Sequence, residues 1–297
     1  MPEKRRIAIT GGSGNIGSAC VESFTERGWD VLRLDRKPPR TQGAKFHFVD
    51  LANRETLQPI LEGCDAVIHL GEIPHQHGGH SPHQVYTSNT IVGSTVFQTC
   101  FDLKIPRVLY ASSCQAYGLW ADQPYELDQS VVKYPIDETL PLRPMNTYGL
   151  SKQTNERYAE FLSKLGEFSV AVFRLPAVWN AWSSEMWVRR IKRDAELWKH
   201  HNDGFWTWVH IDDVVNAFAL AIEKPRAGFQ AYHLFAEDVF GDVPIHERLK
   251  QVTPKNWPPL PSDWPSHKAP VSTKKAFEHF GWQPKVNWKD LSERFPA

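Results

Sequence analysis

The 297-residue chain carries no surplus of charge: Lys plus Arg number 34 and Asp plus Glu number 34. A basic face, the usual footprint of nucleic-acid binding or of attraction to an anionic membrane, is therefore not expected. No apolar run approaches the roughly 20 residues that span a bilayer. Cysteine is scarce. Cys20, Cys64, Cys100 and Cys114 stand far apart, without the spacing of a metal site or a disulfide framework, which suits a reducing compartment. The opening MPEKRRIAIT has a basic start but only a strand-length apolar run, so no secretory leader is expected. Internal repeats and low-complexity tails are absent too. What remains is the expectation of a soluble, cytoplasmic, globular protein, with apolar residues at 41% supplying a sizeable core.

Short β-type runs are plentiful: RIAIT, DVLRLD, KFHFVD, AVIHL, RVLYASS and SVAVFRL. Their near-continuous Val, Ile and Leu content indicates burial on both faces, hence a parallel sheet. Helical patterns alternate with them at 16–26, 54–61, 84–103 and 147–165, and a further one at 212–223 has an acidic first turn. The alternation predicts βαβ units, an α/β fold with a doubly wound parallel sheet of the Rossmann kind. Ten of the twelve Trp lie between Trp179 and Trp288, around the Pro-rich NWPPLPSDWPSHKAP. This shift in composition predicts two parts. Residues 1–175 would form the dinucleotide-binding domain, joined by a returning segment near 206–224, and 176–297 a smaller, mainly substrate-binding α/β subdomain.

The segment IAITGGSGNIGS sets Gly11, Gly14 and Gly17 between the first strand and the first helix, with Asn15 and Ile16 in the same turn. Glycine allows positive φ and close approach to a pyrophosphate, and the helix N-terminus offers N–H groups to that anion. Asp35 follows 18 residues after Gly17 at the end of the second strand, where a carboxylate holds a ribose 2′-hydroxyl. It would repel a 2′-phosphate, which favours NAD over NADP, although Arg36 and Lys37 adjoin it. Asp50, ending the third strand, and Leu51 are expected at the adenine edge; Leu70 and Gly71, after the fourth strand, complete the expected cofactor contacts.

In MNTYGLSKQTNER, Tyr148 and Lys152 stand four residues apart, on one face of a helix. With TGGSGNIG, VDL, AVIHLG, TSNTIVGS, YASSCQAYG, YGLSK, VFRLPAVW, WVHIDDV and TKKAFEHFGWQP in this order, the chain resembles the extended short-chain dehydrogenase/reductase family, its NAD-dependent epimerase/dehydratase group. The resemblance covers nearly the whole chain. It implies Ser113, Tyr148 and Lys152 as the catalytic trio, with Asn89 in the long helix behind the cofactor. Ser113 stands four positions before Tyr117, as the family's serine does before the tyrosine of its YG pair. A free phenol titrates near 10. A nearby cation lowers an acid's pKa by about 1–3 units, so Lys152 and an oxidised nicotinamide are expected to bring Tyr148 toward working pH. Lys152 is also implied to bond the nicotinamide ribose, and Ser113 to stabilise charge on the substrate oxygen.

The same resemblance narrows the reaction. Family dehydratases carry Asp-Glu after the catalytic hydroxyl residue, where this chain has Cys114-Gln115. Nucleotide-sugar epimerases usually carry Asn after the Arg that ends strand six; here Ala177 stands there, and Asn180 replaces a common glycine. Oxidation or reduction of a free sugar, sugar acid or small polyol therefore ranks above nucleotide-sugar epimerisation, and a non-catalytic NAD-binding regulator or a metal-dependent hydrolase ranks below both. Ser113, Gln115, Arg174, Trp179, Asn180 and His75 are expected to line the substrate pocket, with Arg174 alternatively orienting the C-terminal segment. Trp182, Trp187, Trp206 and Trp208 are further candidates for stacking on a sugar ring, or else core. His210 is expected to position a loop. The histidines of IPHQHGGHSPHQ (His75, His77, His80, His83) suggest a metal, but without HExxH or a carboxylate-bearing helix they are read as pocket lining or a gate, and no metal is expected. The helices at 84–103 and 147–165 resemble those that build a four-helix homodimer interface in relatives.

Overall fold

The computed structural model describes residues 5–40, 43–75, 79–118, 132–194, 196–199, 203–252 and 258–295. Strands β1 (Arg6–Thr10), β2 (Asp30–Asp35), β3 (Lys45–Phe48), β4 (Ala66–His69), β5 (Val108–Ser113) and β6 (Val170–Leu175) alternate with helices α1 (Asn15–Glu26), α2 (Arg54–Leu61), α3 (Pro82–Asp102) and α4 (Thr147–Leu165). Further on come β7 (Ala177–Trp179), α5 (Ala181–Arg193), β8 (Trp208–His210), α6 (Ile211–Glu223) and β9 (Phe229–His233), then α7 (Ile245–Val252), α8 (Lys274–Phe280) and α9 (Trp288–Arg294). The main sheet is wholly parallel and runs β3-β2-β1-β4-β5-β6-β9. This is the expected doubly wound α/β arrangement.

Successive side chains of a strand point to opposite faces, and here each face meets its own core. Ile7 and Ile9 pack with α1, α6 and Phe280, while Ala8 between them packs with Leu57, Val96 and Leu162 from the other helices. That double burial explains why the strands read as continuous apolar runs. β3 departs from the expectation, because Lys45 and Phe48 are exposed. It is the edge strand, and helices cover it incompletely.

α3 begins two residues earlier than the apolar period suggested. Ser81 caps it, bonding Gln84 in a reciprocal capping box with Pro82 at the first helical position. The return to the main sheet also runs past residue 224, since β9 extends the sheet beyond β6.

A third core gathers Trp179, Trp198, Trp206, Trp208 and Trp288 with Phe240, Leu249 and Leu260. Its framework is the small parallel pair β7–β8, which no sequence period announced. Asp213 ties α6 to the C-terminal segment by accepting from the backbone N–H groups of Lys285 (3.0 Å) and Val286 (3.1 Å). His210 caps α6, its Nδ1 accepting from Asp212 N at 3.3 Å.

Candidate active site

The C-terminal ends of β1, β2, β4 and β5 meet where the strand order reverses, the place where open α/β sheets bind ligands. The glycine turn after β1 leaves no room for side chains. A Cβ on Gly17 would lie 2.1 Å from the Gly11 carbonyl oxygen, and Gly11 itself has φ +65°. A Cβ on Gly71 would lie 2.2 Å from Leu51 Cδ1, so Leu51, Leu70 and Gly71 close tightly over the same turn. Gly14 caps α1 with no side-chain hydrogen bond, which leaves the dipole end for an anion. Asn15 is exposed and Ile16 half-buried beside it.

Asp35 ends β2 beside this cradle. Its Oδ2 accepts from Ser13 N at 3.0 Å and its Oδ1 from Lys37 N at 2.9 Å. Arg36 and Asp50 are exposed, with Asp50 turning the chain through Ala52 N. The tight glycine cradle, the helix end without a side-chain cap and the adjacent carboxylate fit a dinucleotide. Asn89 lies behind the site as expected, but its amide bonds Ile73 N (2.8 Å), Ile73 O (3.1 Å) and Ser151 Oγ (3.2 Å). It ties α3 to the loop after β4 and to α4.

α4 brings Tyr148 and Lys152 to the end of β5. Asn146 caps α4 by accepting from Gly149 N at 2.7 Å. Gly149 permits the helix to touch the short 3-10 turn Cys114–Tyr117, since a Cβ there would sit 2.4 Å from Gln115 O. Tyr148 is hydrogen-bonded to Ser113, and the Lys152 ammonium lies 5.5 Å from the Tyr148 ring centre. Ser113, Tyr148 and Lys152 thus converge, all buried. Gln115 borders them, its Oε1 accepting from Asn146 Nδ2 at 3.1 Å.

Without cofactor, Tyr148 is not acidified: burial pushes its phenol above the ordinary value, and the downward pull of Lys152 is opposed by Glu72. Glu72 was not singled out in the sequence. Its Oε2 lies 2.8 Å from Lys152 Nζ, and its side chain is 2% exposed. A carboxylate three residues beyond the last residue of an apolar parallel strand, at the ligand-binding end of the sheet, was the available signal.

Other expected pocket residues are engaged elsewhere. Arg174 is buried, its guanidinium bonding Glu156 (2.8 Å), the Tyr117 hydroxyl (2.6 Å) and Glu138 O (3.0 Å). The fork is used on these internal partners, all of which precede Arg174 in the chain. Trp179 sits in the third core, 4.9 Å from Trp208 and stacked on Trp187 at 6.1 Å. Trp206 is likewise buried, whereas Trp182 is 71% exposed. Asn180 caps α5 in a reciprocal box with Ser183. His75, His80 and His83 are exposed, and His77 lies outside the described residues. Among the described residues no three His, Cys, Asp or Glu side chains group to hold a metal, and no helix is long and apolar enough to cross a membrane.

Fold and cradle together define a Rossmann-type dinucleotide-binding protein. A family model, the NAD dependent epimerase/dehydratase family, matches residues 7–234, and the chain belongs to this family. It is 22% identical to a human dTDP-D-glucose 4,6-dehydratase, covering 96% of this chain and 87% of that protein. It is 24% identical to UDP-glucose 4-epimerase of Lactobacillus helveticus (94% and 92% covered). Uronate dehydrogenase of Pseudomonas putida is 29% identical over 52% of this chain and 54% of its own length. Among solved structures, UDP-glucose 4-epimerase of Thermotoga maritima superimposes with a TM-score of 0.71 at 23% identity, covering 97% of this chain and 96% of that one. A short-chain dehydrogenase/reductase superfamily protein of Agrobacterium tumefaciens, solved with bound NAD, does so at 0.70 and 19% identity, covering 98% and 95%. The cofactor of the family is NAD.

Proposed function

We propose that the chain is an NAD-dependent oxidoreductase acting at a secondary alcohol or ketone of a small sugar, sugar acid or related polyol. The observation that carries this reading is the buried convergence of Ser113, Tyr148 and Lys152 beside the glycine cradle. Gly11, Gly14, Asn15, Ile16 and Gly17 would hold the pyrophosphate, Asp35 a ribose, and Asp50, Leu51, Leu70 and Gly71 the adenine side. Bound NAD supplies the hydride acceptor or donor. Ser113 Oγ orients the substrate oxygen and donates to charge building there. Tyr148 Oη takes or returns the hydroxyl proton. Lys152 Nζ keeps a positive charge beneath the phenol ring and binds the nicotinamide ribose. Burial of all three excludes bulk water from the proton transfer.

The residues after β5 support this reaction over dehydration, because Cys114 and Gln115 offer no acid–base pair there. Nucleotide-sugar epimerisation is the second reading, favoured by the near full-length match to the Lactobacillus enzyme. Ala177 and the capping duty of Asn180 weigh against it. The third, Trp-rich core is read as the frame of a substrate-binding lobe, with Gln115, His75 and exposed Trp182 among the side chains proposed to meet a ligand.

An absorbance screen for NADH formation with hexoses, pentoses, uronates and polyols tests the proposal, with nucleotide sugars assayed in parallel. Net NADH from one of the former is expected. Isomerised nucleotide sugar without net NADH would move the assignment to the epimerase.

A homodimer through α3 and α4 forms part of the proposal. The two helices pack on each other and still expose Ile91, Leu150, Phe161 and Leu165 on their outer sides. A second copy of the pair would bury these side chains in a four-helix arrangement. Sedimentation at micromolar concentration is expected to give twice the 34.0 kDa chain mass; a monomer alone would contradict it.

A further inference from the structure

Glu72 stands at the centre of a buried polar cluster in the site. Oε1 accepts from Asn155 Nδ2 at 2.9 Å and lies 3.2 Å from His69 Nε2. Oε2 accepts from Lys152 Nζ at 2.8 Å and from the Tyr110 hydroxyl at 3.1 Å. A carboxylate has about four acceptor positions; Asn155, Lys152 and Tyr110 fill three of them, and His69 Nε2 approaches without completing a hydrogen bond.

The His69 tautomer follows from its other neighbour. Thr10 Oγ1 already accepts from Leu70 N (3.1 Å) and Gly71 N (3.2 Å). Its own hydrogen is therefore left to donate to His69 Nδ1 at 2.7 Å. The imidazole proton then sits on Nε2, facing Glu72.

The carboxylate is also fixed from behind. Asn89 clamps both backbone polar groups of Ile73, the next residue, and reaches Ser151 Oγ, which donates to Tyr148 O at 2.7 Å. The loop after β4, α3 and the first turns of α4 are thereby tied together. Lys152 has three ammonium donors; one meets Glu72 and another Ala111 O at 2.7 Å.

Taking the proposed role of Tyr148 as its starting point, we propose that Glu72 is the positioning residue that anchors the Lys152 ammonium and keeps the Tyr148 phenol protonated until a cationic cofactor ring arrives. Seen from Tyr148, an ammonium and a carboxylate 2.8 Å apart nearly cancel. The acidifying effect of a lone cation is therefore withheld, and burial dominates. This agrees with the raised phenol of Tyr148, to which Glu72 contributes directly, and with the lowered carboxyl of Glu72 itself. The remaining charged or titratable neighbours do not supply the missing cation. Cys114 faces Tyr148 from the 3-10 turn and Tyr110 faces Glu72 from β5. Glu156, one turn beyond Lys152 on α4, is paired with Arg174 of β6. Among the described residues none of these neighbours brings net positive charge to the phenol, whereas a cationic ligand would.

The test is an ultraviolet titration of tyrosinate in the cofactor-free protein, with the Tyr148 signal isolated by subtracting the matching Tyr148→Phe protein. In Glu72→Gln, which keeps the shape of the side chain, the Tyr148 transition is expected about 1–3 pH units lower. Glu72→Asp, which keeps the charge, is expected to titrate as the unaltered protein does. An unshifted Glu72→Gln transition, or the same downward shift in Glu72→Asp, would overturn the proposal. If Glu72→Gln fails to fold, Glu72→Asp still decides by holding or losing the unaltered position. No substrate enters this measurement. A shift with a negative substrate screen would sink the proposed reaction alone, and NADH production without a shift would sink only the role of Glu72.

Discussion

Replacing Tyr148 with phenylalanine is expected to lower kcat/KM by about 10²–10⁴-fold, the usual contribution of a positioned acid or base. The change removes only an oxygen. The ring remains packed in the first turn of α4, 8% exposed, with the Lys152 ammonium 5.5 Å from its centre. Ser113 loses one partner but keeps its bond from Gln115 N at 3.1 Å. NADH binding, which depends on the glycine cradle and Asp35, is expected to stay within a few-fold of the unaltered protein. The pair of readings separates chemistry from cofactor loading: steady-state kinetics on the substrate found by screening, and NADH fluorescence for binding. Undiminished turnover in the phenylalanine protein would remove the proposed mechanism.

Arg174→Met is expected to destabilise the fold by about 3–5 kcal/mol, because breaking a buried ion pair strands the opposite charge. Glu156 would retain Ser112 Oγ at 2.5 Å as a neutral donor but lose its cationic partner. The same guanidinium supports the Tyr117 hydroxyl, which also bonds His233 Nε2 at 2.7 Å. Burial and the neighbouring arginine hold His233 down to about 3, so it stays neutral and cannot replace the lost charge. Against a total stability of roughly 5–15 kcal/mol, such a loss is large, and urea unfolding midpoints measure it. Arg174→Met combined with Glu156→Leu is expected to recover much of the loss, since no orphan charge remains. A single variant within 1 kcal/mol of the unaltered protein would show that the cluster is far better solvated than its geometry indicates.

The legible parts of this molecule are those written locally. The glycine turn, Asp35 and the i,i+4 pair Tyr148 and Lys152 are short motifs whose geometry follows from one turn or one helix, and the structure sets them around one sheet end. The strands were legible because burial on both faces leaves a continuous apolar run. β3 misled, since an edge position is a property of sheet order and not of the four residues themselves. Trp179, Trp206 and Trp208 could not be sorted into core or pocket from spacing alone. Their burial depends on β7–β8 and on α9, far along the chain. Asn180 and Arg174 look like ligand contacts by residue type, but a helix start and a buried glutamate occupy them. Glu72 was overlooked for a related reason. A carboxylate after a strand reads as an ordinary loop residue until α4 carries Lys152 and Asn155 against it and β5 adds Tyr110.

A structure of the protein with NAD and the substrate identified by screening tests the central claim most directly. The account predicts the Tyr148 hydroxyl within about 2.6–3.2 Å of the substrate oxygen, with the reacting carbon about 3–3.5 Å from nicotinamide C4. A hydroxyl turned away from that oxygen, or a nicotinamide ring lying outside the Ser113–Tyr148–Lys152 cluster, would contradict it.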